Sequence, residues 1–147
     1  MGRQLPGSVT RAIRVQVILV LVTGLMTLLT AVQHDELVAD WGARHPGIEP
    51  PAFLPVAVVL FVTFALLAAV LVAFFRDGHH SARVSLTILA AFLFFTMVVI
   101  FRSDPPTMFV LACLASAVLD VVLVVLLWHP DTNAFLRGAA LASRRTP

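Results

Sequence analysis

The chain has 147 residues, of which 60% are apolar and only 12% are charged. Soluble domains carry about 25% charged residues, so this composition excludes an ordinary water-soluble protein and favours a single domain in lipid. The net charge of +2 comes from ten arginines against eight acids. The arginines flank apolar runs instead of forming a basic patch, which predicts no nucleic-acid partner.

The first predicted membrane span covers about residues 15–32, after a predicted mobile tail over residues 1–10. It is close to the ~20 residues that a bilayer core requires, and it is interpreted as a retained anchor. Its polar side chains share one helical face: Gln16, Thr23, Thr27 and Thr30. Lipid does not solvate such a face, so we expect it to contact another helix, with Gly24 allowing a close approach.

The connection over residues 33–52 is acidic and is predicted to be extracytoplasmic. Within it, residues 35–41 are compatible with a short interfacial helix whose Trp41 joins the aromatic belt of the membrane. Its histidines and acids lack the tight spacing of metal ligands. We therefore interpret it as a solvated loop and predict no metal.

The second predicted span, about residues 53–75, contains three alanines at four-residue intervals, Ala65, Ala69 and Ala73. Such a ridge of small residues lets two helix backbones come close, which predicts a packing face. The turn that follows is short. It predicts an antiparallel hairpin with the third span, about residues 84–101.

The fourth predicted span, about residues 109–128, follows a tight loop in which Asp104 can cap the helix. Residues 131–147 predict a short amphipathic tail in which Phe135 and Leu136 enter the membrane interface. Eight of the ten arginines lie in the terminal segments and the middle turn, which predicts that both termini are cytoplasmic. The predicted topology signals and headgroup anchors are Arg14, Arg76, Arg83, Arg137, Trp41 and Trp128.

Asp120 is the only acidic or basic residue well inside a predicted span. An Asp near the middle of a bilayer costs about 2.5–3.5 kcal/mol on insertion scales, so its carboxyl must face the bundle interior and find a donor or be protonated. Residue counting places Thr23 of the first span at a similar depth. We predict that the two spans meet through one polar cluster: Asp120, Ser116, Cys113, Thr23 and Thr27.

Three interpretations of Asp120 are open. It is an interhelical tie, worth about 0.6 kcal/mol on average, or a carboxylate that couples protons or substrate in a small transporter or channel, or a site for a partner's membrane helix. The sequence contains no paired acids at one depth, no nucleophile with a base and no glycine loop. We therefore predict no enzymatic activity and no cofactor.

Three segments carry a resemblance to a family. LPGSVTRAIRV, FFRDGHHSARVSLTIL and VVLLWHPDTNAFLRG are similar to segments of a widespread, largely uncharacterised group of small four-span membrane proteins from actinobacteria. The corresponding positions are Pro6, Ala82, Arg83, Leu86, Thr87, Phe135 and Arg137. The turn departs from the usual aromatic before Ala-Arg, because His80 and Ser81 stand there. The resemblance implies the fold, membrane residence and a bacterial source, and it implies no activity.

Together these observations predict an all-α protein, an antiparallel four-helix transmembrane bundle in the plasma membrane of an actinobacterium. We expect a non-enzymatic structural or accessory protein whose partners are the lipid bilayer and either a second copy or a larger membrane complex. The alternative is a small transporter or channel subunit that uses Asp120.

Overall fold

A computed structural model describes residues 6–102 and 106–143, with side chains for residues 6–102 and 106–138. Within these ranges the chain forms helices and no strand. The helices are α1 (Gly7–Val32), α2 (His34–Arg44), α3 (Phe53–Arg76), α4 (His80–Phe101), α5 (Thr107–Leu127) and α6 (Pro130–Ser143). Asp104, the predicted cap of the fourth span, lies outside the described residues.

Four of these helices, α1, α3, α4 and α5, are long and apolar enough to cross a membrane. They coincide with the four predicted spans, so the prediction of an all-α protein with four span-length apolar helices is confirmed. The starting residues differ most in α1, which begins at Gly7 and not near Val15. The residues between these two positions include no proline, and arginine is a good helix former, so nothing local ends the helix before Pro6.

Helix α3 ends in a short turn that is held by backbone hydrogen bonds. Gly78 has a φ of 86°, in the left-handed region that glycine enters without steric cost. Its N–H donates to the carbonyl of Phe75 (3.1 Å), and the N–H of His79 donates to the carbonyl of Phe74 (3.1 Å). This is the hydrogen-bond pattern of a Schellman motif, which allows the chain to reverse within a few residues.

The four long helices form a ring. Helix α1 packs against α3 and α5, and α4 packs against the same two helices. Each helix turns inward a row of residues spaced three, four or seven apart, as in other helix bundles. In α5 that row is Phe109, Cys113, Ser116, Asp120, Leu123 and Leu127. The outward faces carry many exposed large apolar side chains, among them Leu21, Phe95 and Val118, which is the surface expected of a protein surrounded by lipid.

Helix α6 packs against the bundle, which differs from the predicted surface tail. Leu136 is buried within the hydrophobic core, and Phe135 is partly buried against that core. The hydroxyl of Thr132, which is fully buried, lies 3.0 Å from the hydroxyl of Ser8 in α1. The prediction that Leu136 enters the membrane interface is therefore wrong, because the end of the bundle covers its apolar surface.

The predicted interfacial helix over residues 35–41 is part of α2, which continues to Arg44. None of the residues of α2 is buried. Arg44 and Asp40 form an ion pair one turn apart on the exposed surface. Trp41 stacks on His45, with ring centroids 4.1 Å apart, and meets Phe53 edge-on at 6.1 Å. Trp41 thus joins α2 to the start of α3.

Candidate functional site

The Asp120 side chain lies in the interior of the ring and is only 2% exposed. Both of its carboxyl oxygens are buried and lack a hydrogen-bond partner among the described residues. The hydroxyl of Ser116, one turn earlier on α5, is buried and unpartnered in the same way. Two polar groups are therefore held next to each other in the core without the donors that such groups normally have.

The predicted threonine partners do not supply those donors. The hydroxyls of Thr23, Thr27 and Thr30 donate to carbonyls four residues earlier in α1, over 2.8, 3.1 and 2.9 Å. Threonine in a helix readily makes this local bond, so the stripe satisfies itself. The structure therefore corrects the predicted contact between Asp120 and the threonine hydroxyls.

The relative depth of the two helices also differs from the residue count. The contact between Ser8 and Thr132 relates the start of α1 to the residues that follow α5. Gln16 of α1 and Leu123 of α5 line one small gap, and counting three residues up α1 and three down α5 from that pair brings Leu19, an apolar residue, level with Asp120. Thr23 is then one turn away, at the level of Ser116.

The arginines lie far from this carboxyl. Arg11 and Arg14 occupy the first turns of α1, Arg76 is the last residue of α3, and Arg83 is in the first turn of α4. Among the described residues none forms an ion pair with Asp120, and an isolated ionised carboxylate in an apolar interior costs several kcal/mol. The surroundings of Asp120 therefore favour the uncharged acid.

The small residues occupy two different environments. Gly24 faces α3, because a Cβ added there would lie 3.1 Å from Cε2 of Phe61. The alanine stripe (Ala65, Ala69 and Ala73) remains largely uncovered: Ala65 is half-buried, and Ala69 and Ala73 are exposed. The α3 alanine that packs into the bundle is Ala68, which the sequence analysis did not select.

A second polar site lies where α4, α5 and α6 meet, and we call it the Arg83 cluster: Arg83, His80, Trp128 and Asn133. Nη1 of Arg83 donates to Oδ1 of Asn133, and Nη2 donates to Nε2 of His80 over 2.8 Å. The guanidinium carbon lies 4.3 Å from the ring centroid of Trp128. The side chain of Arg83 is therefore clamped between three elements.

Arg83 and Trp128 were predicted as headgroup anchors, and their contact with each other was not predicted. Arg83 is only 5% exposed, whereas Arg14, Arg76 and Arg137 are exposed as anchors are expected to be. Trp128 also donates its ring N–H to the hydroxyl of Thr87 over 3.1 Å. No short sequence motif marks this cluster, because Asn133 lies 50 residues from Arg83 along the chain.

Among the described residues, no group of three or more His, Cys, Asp or Glu side chains is arranged to hold a metal ion. Cys113 is a free, buried thiol in the same inward row as Asp120. Neither polar site thus offers a recognisable metal centre in the part of the chain that is described.

Comparison of the chain with protein-family models, curated proteins and solved structures finds no match. Within the described residues, the fold and the sites define the class: a helical protein with four candidate membrane spans and one buried acid. The resemblance to the actinobacterial four-span group stays a prediction.

Proposed function

We propose that the protein is a non-enzymatic structural or accessory protein of the plasma membrane that associates with a second copy of itself through the alanine stripe of α3. The observation that carries this proposal is the exposure of Ala69 and Ala73, which no helix of the bundle covers. A four-residue repeat of small side chains allows two helix backbones to approach closely in lipid. The same stripe on two copies is self-complementary about a two-fold axis, the commonest symmetry of oligomers.

Two observations support an antiparallel bundle with both termini in the cytoplasm. One small gap is lined by Ala12, Val72, Leu86 and Leu123, which belong to the beginnings of α1 and α4 and the ends of α3 and α5. Successive long helices then alternate in direction. The end of the bundle where this gap lies also carries five of the seven arginines of the described residues, as cytoplasmic ends do.

Dimerisation in nanodiscs tests the proposal. We expect native mass spectrometry of the nanodiscs to show the wild-type chain as a dimer and the variant with Ala69→Ile and Ala73→Ile as a monomer, because the larger side chains hold the helices apart. The matched control replaces exposed alanines outside the stripe, Ala91→Ile in α4 and Ala115→Ile in α5. The control should dimerise like the wild type.

Two other outcomes are informative. A stripe variant that dimerises as well as the wild type would remove the basis of the proposal. A monomeric wild type that co-purifies with a defined membrane protein, and loses it only in the stripe variant, would replace the second copy by a larger complex as the occupant of the stripe.

A second candidate function is favoured by Asp120. A small transporter or channel needs an ionisable group inside the membrane, and intramembrane carboxyls mark proton and ion pathways. Both carboxyl oxygens are buried in this conformation, so such a role requires a second conformation in which water or substrate reaches the carboxyl. Proton-linked flux in liposomes that is lost in Asp120→Asn would support it, and flux that persists unchanged in that variant would exclude a coupling role.

A further inference from the structure

The Arg83 guanidinium is a buried positive charge whose identified contacts are all neutral. Its partners are the amide of Asn133, the imidazole of His80 and the ring face of Trp128. Because arginine has donors and no acceptor, Nε2 of His80 accepts this hydrogen bond, and none of the three contacts carries a negative charge. Burying an ion costs several kcal/mol unless an opposite charge accompanies it.

No carboxylate supplies that opposite charge within the described part of the chain. The nearest acid in sequence to Asn133 is Asp131, which is exposed and faces His129 at 3.4 Å. Asp77, in the preceding turn, is exposed as well. The first turn of α4 contains no acidic residue and has no side-chain cap.

A second cation lies on the same face of α6 as Asn133, one turn further along the helix. The positive charge of Arg137, an exposed residue one turn after Asn133 on α6, acts on Arg83. Two like charges brought together without an anion repel each other, which adds to the cost of burying Arg83. Arg83 also retains donors, because each terminal nitrogen carries a second N–H and Nε has no partner.

We propose that Arg83 and Arg137 together bind a phosphate-type anion at the α4–α6 end of the bundle. The anion neutralises the buried guanidinium and accepts from its remaining terminal N–H groups and from Arg137. Guanidinium groups suit this role because their planar donors match the oxygens of a phosphate. The site lies beside Trp128, at the end of the apolar helices, where phospholipid headgroups lie.

Binding to purified full-length protein in neutral detergent tests the site. The probes are dioctanoyl phosphatidic acid, dioctanoyl phosphatidylcholine as a control for acyl-chain contacts, and inorganic phosphate. We expect phosphatidic acid to bind more tightly than phosphatidylcholine, and Arg83→Gln to weaken its binding at least about tenfold, since a charge-assisted hydrogen bond is lost.

Two further variants keep the test decisive if Arg83→Gln does not fold. Arg137→Gln changes an exposed residue and should weaken binding by about threefold or more. Arg76→Gln removes the same charge from an exposed position at the same end of the bundle and should change the affinity by less than about twofold. Equal losses in the Arg137 and Arg76 variants would reduce the site to diffuse charge and overturn the proposal, as would equal binding of the two lipids by the wild type.

Trp128 provides a second readout, because the chain has two tryptophans and Trp41→Phe leaves Trp128 alone. Its fluorescence should change during the titration with phosphatidic acid, and this change should be lost in Arg137→Gln. An unchanged signal while lipid binds would place the anion elsewhere and overturn the proposal. Displacement of the lipid by inorganic phosphate would identify a free anion as the ligand, and lack of displacement would identify the lipid headgroup.

Discussion

Asp120 lies in the core because of its position in α5. Ser116 and Leu123, four and three positions away, face inward too. The helix therefore directs the Asp120 carboxyl into the bundle and away from the surface. Its spacing from Cys113 and Ser116 was enough to predict a shared face. The hydrogen bonds of Thr23 could not be predicted in the same way, because a threonine hydroxyl reaches its own helix as easily as a neighbouring one.

Replacement of Asp120 should stabilise the fold. A buried polar group without a partner costs about 1–3 kcal/mol, so Asp120→Val should raise the free energy of unfolding by about that amount. Denaturant unfolding in mixed micelles, followed by circular dichroism, measures the change. Ala115→Val, at an exposed position of the same helix, should remain within about 0.5 kcal/mol of the wild type.

A loss of stability in Asp120→Val would contradict this expectation. It would mean that the carboxyl has a donor in the membrane-embedded protein, such as a water molecule or a second chain. Ser116→Ala separates the two polar groups, because it removes one buried, unpartnered hydroxyl and adds no volume. We expect it to raise stability as well, by a smaller amount.

The existence of the long helices could be predicted from the sequence, and their ends could not. An apolar run of about 20 residues is enough to predict a membrane helix. The start of α1 at Gly7 depends on helix-forming residues that are not apolar, including Arg11, so hydropathy does not mark it. The position of α6 depends on what covers Leu136, and the same amphipathic pattern suits a membrane surface and a bundle end.

The hydroxyl of Thr132 should control how firmly α6 is docked. It lies 3.0 Å from the hydroxyl of Ser8 and 3.0 Å from the carbonyl of Leu126, so it joins α6 to two other elements. Thr132→Val keeps the shape and leaves these groups without their partner, at a cost of about 1–3 kcal/mol. Hydrogen exchange should become faster in the amides of α6 while α1 and α5 stay protected.

Thr96→Val is the matched control for this prediction. The hydroxyl of Thr96 donates to the carbonyl of Phe92 within α4 and joins no second element. We expect the exchange of α6 to be unaffected by it. Equal exchange of α6 in the Thr132 variant and the wild type would show that Leu136 and the Arg83 cluster hold the helix without the hydroxyl.

The charges of the protein are distributed unevenly between the two ends of the bundle, and this distribution is more informative than the net charge. The acids Asp35, Glu36 and Asp40 lie in α2, at the opposite end of the bundle from the Arg83 cluster. Among the described residues, the buried groups that titrate are Asp120 and Cys113 in α5 and Arg83 in the first turn of α4. The sequence predicted this asymmetry, but the pairing of Arg83 with Trp128 required tertiary structure because the two residues lie on different helices.

The asymmetry predicts that α2 and α6 lie on opposite sides of the membrane. Cys113 is buried, and Cys113→Ala provides a cysteine-free background for single exposed cysteines. We expect Ala43→Cys in α2 to react with a membrane-impermeant maleimide on intact cells, and Ala134→Cys in α6 to react only after lysis, because arginine-rich ends remain in the cytoplasm. Val118→Cys, whose side chain faces lipid, should react in neither case. Labelling of Ala134→Cys on intact cells would reverse the orientation, and it would place the proposed anion site in the outer leaflet.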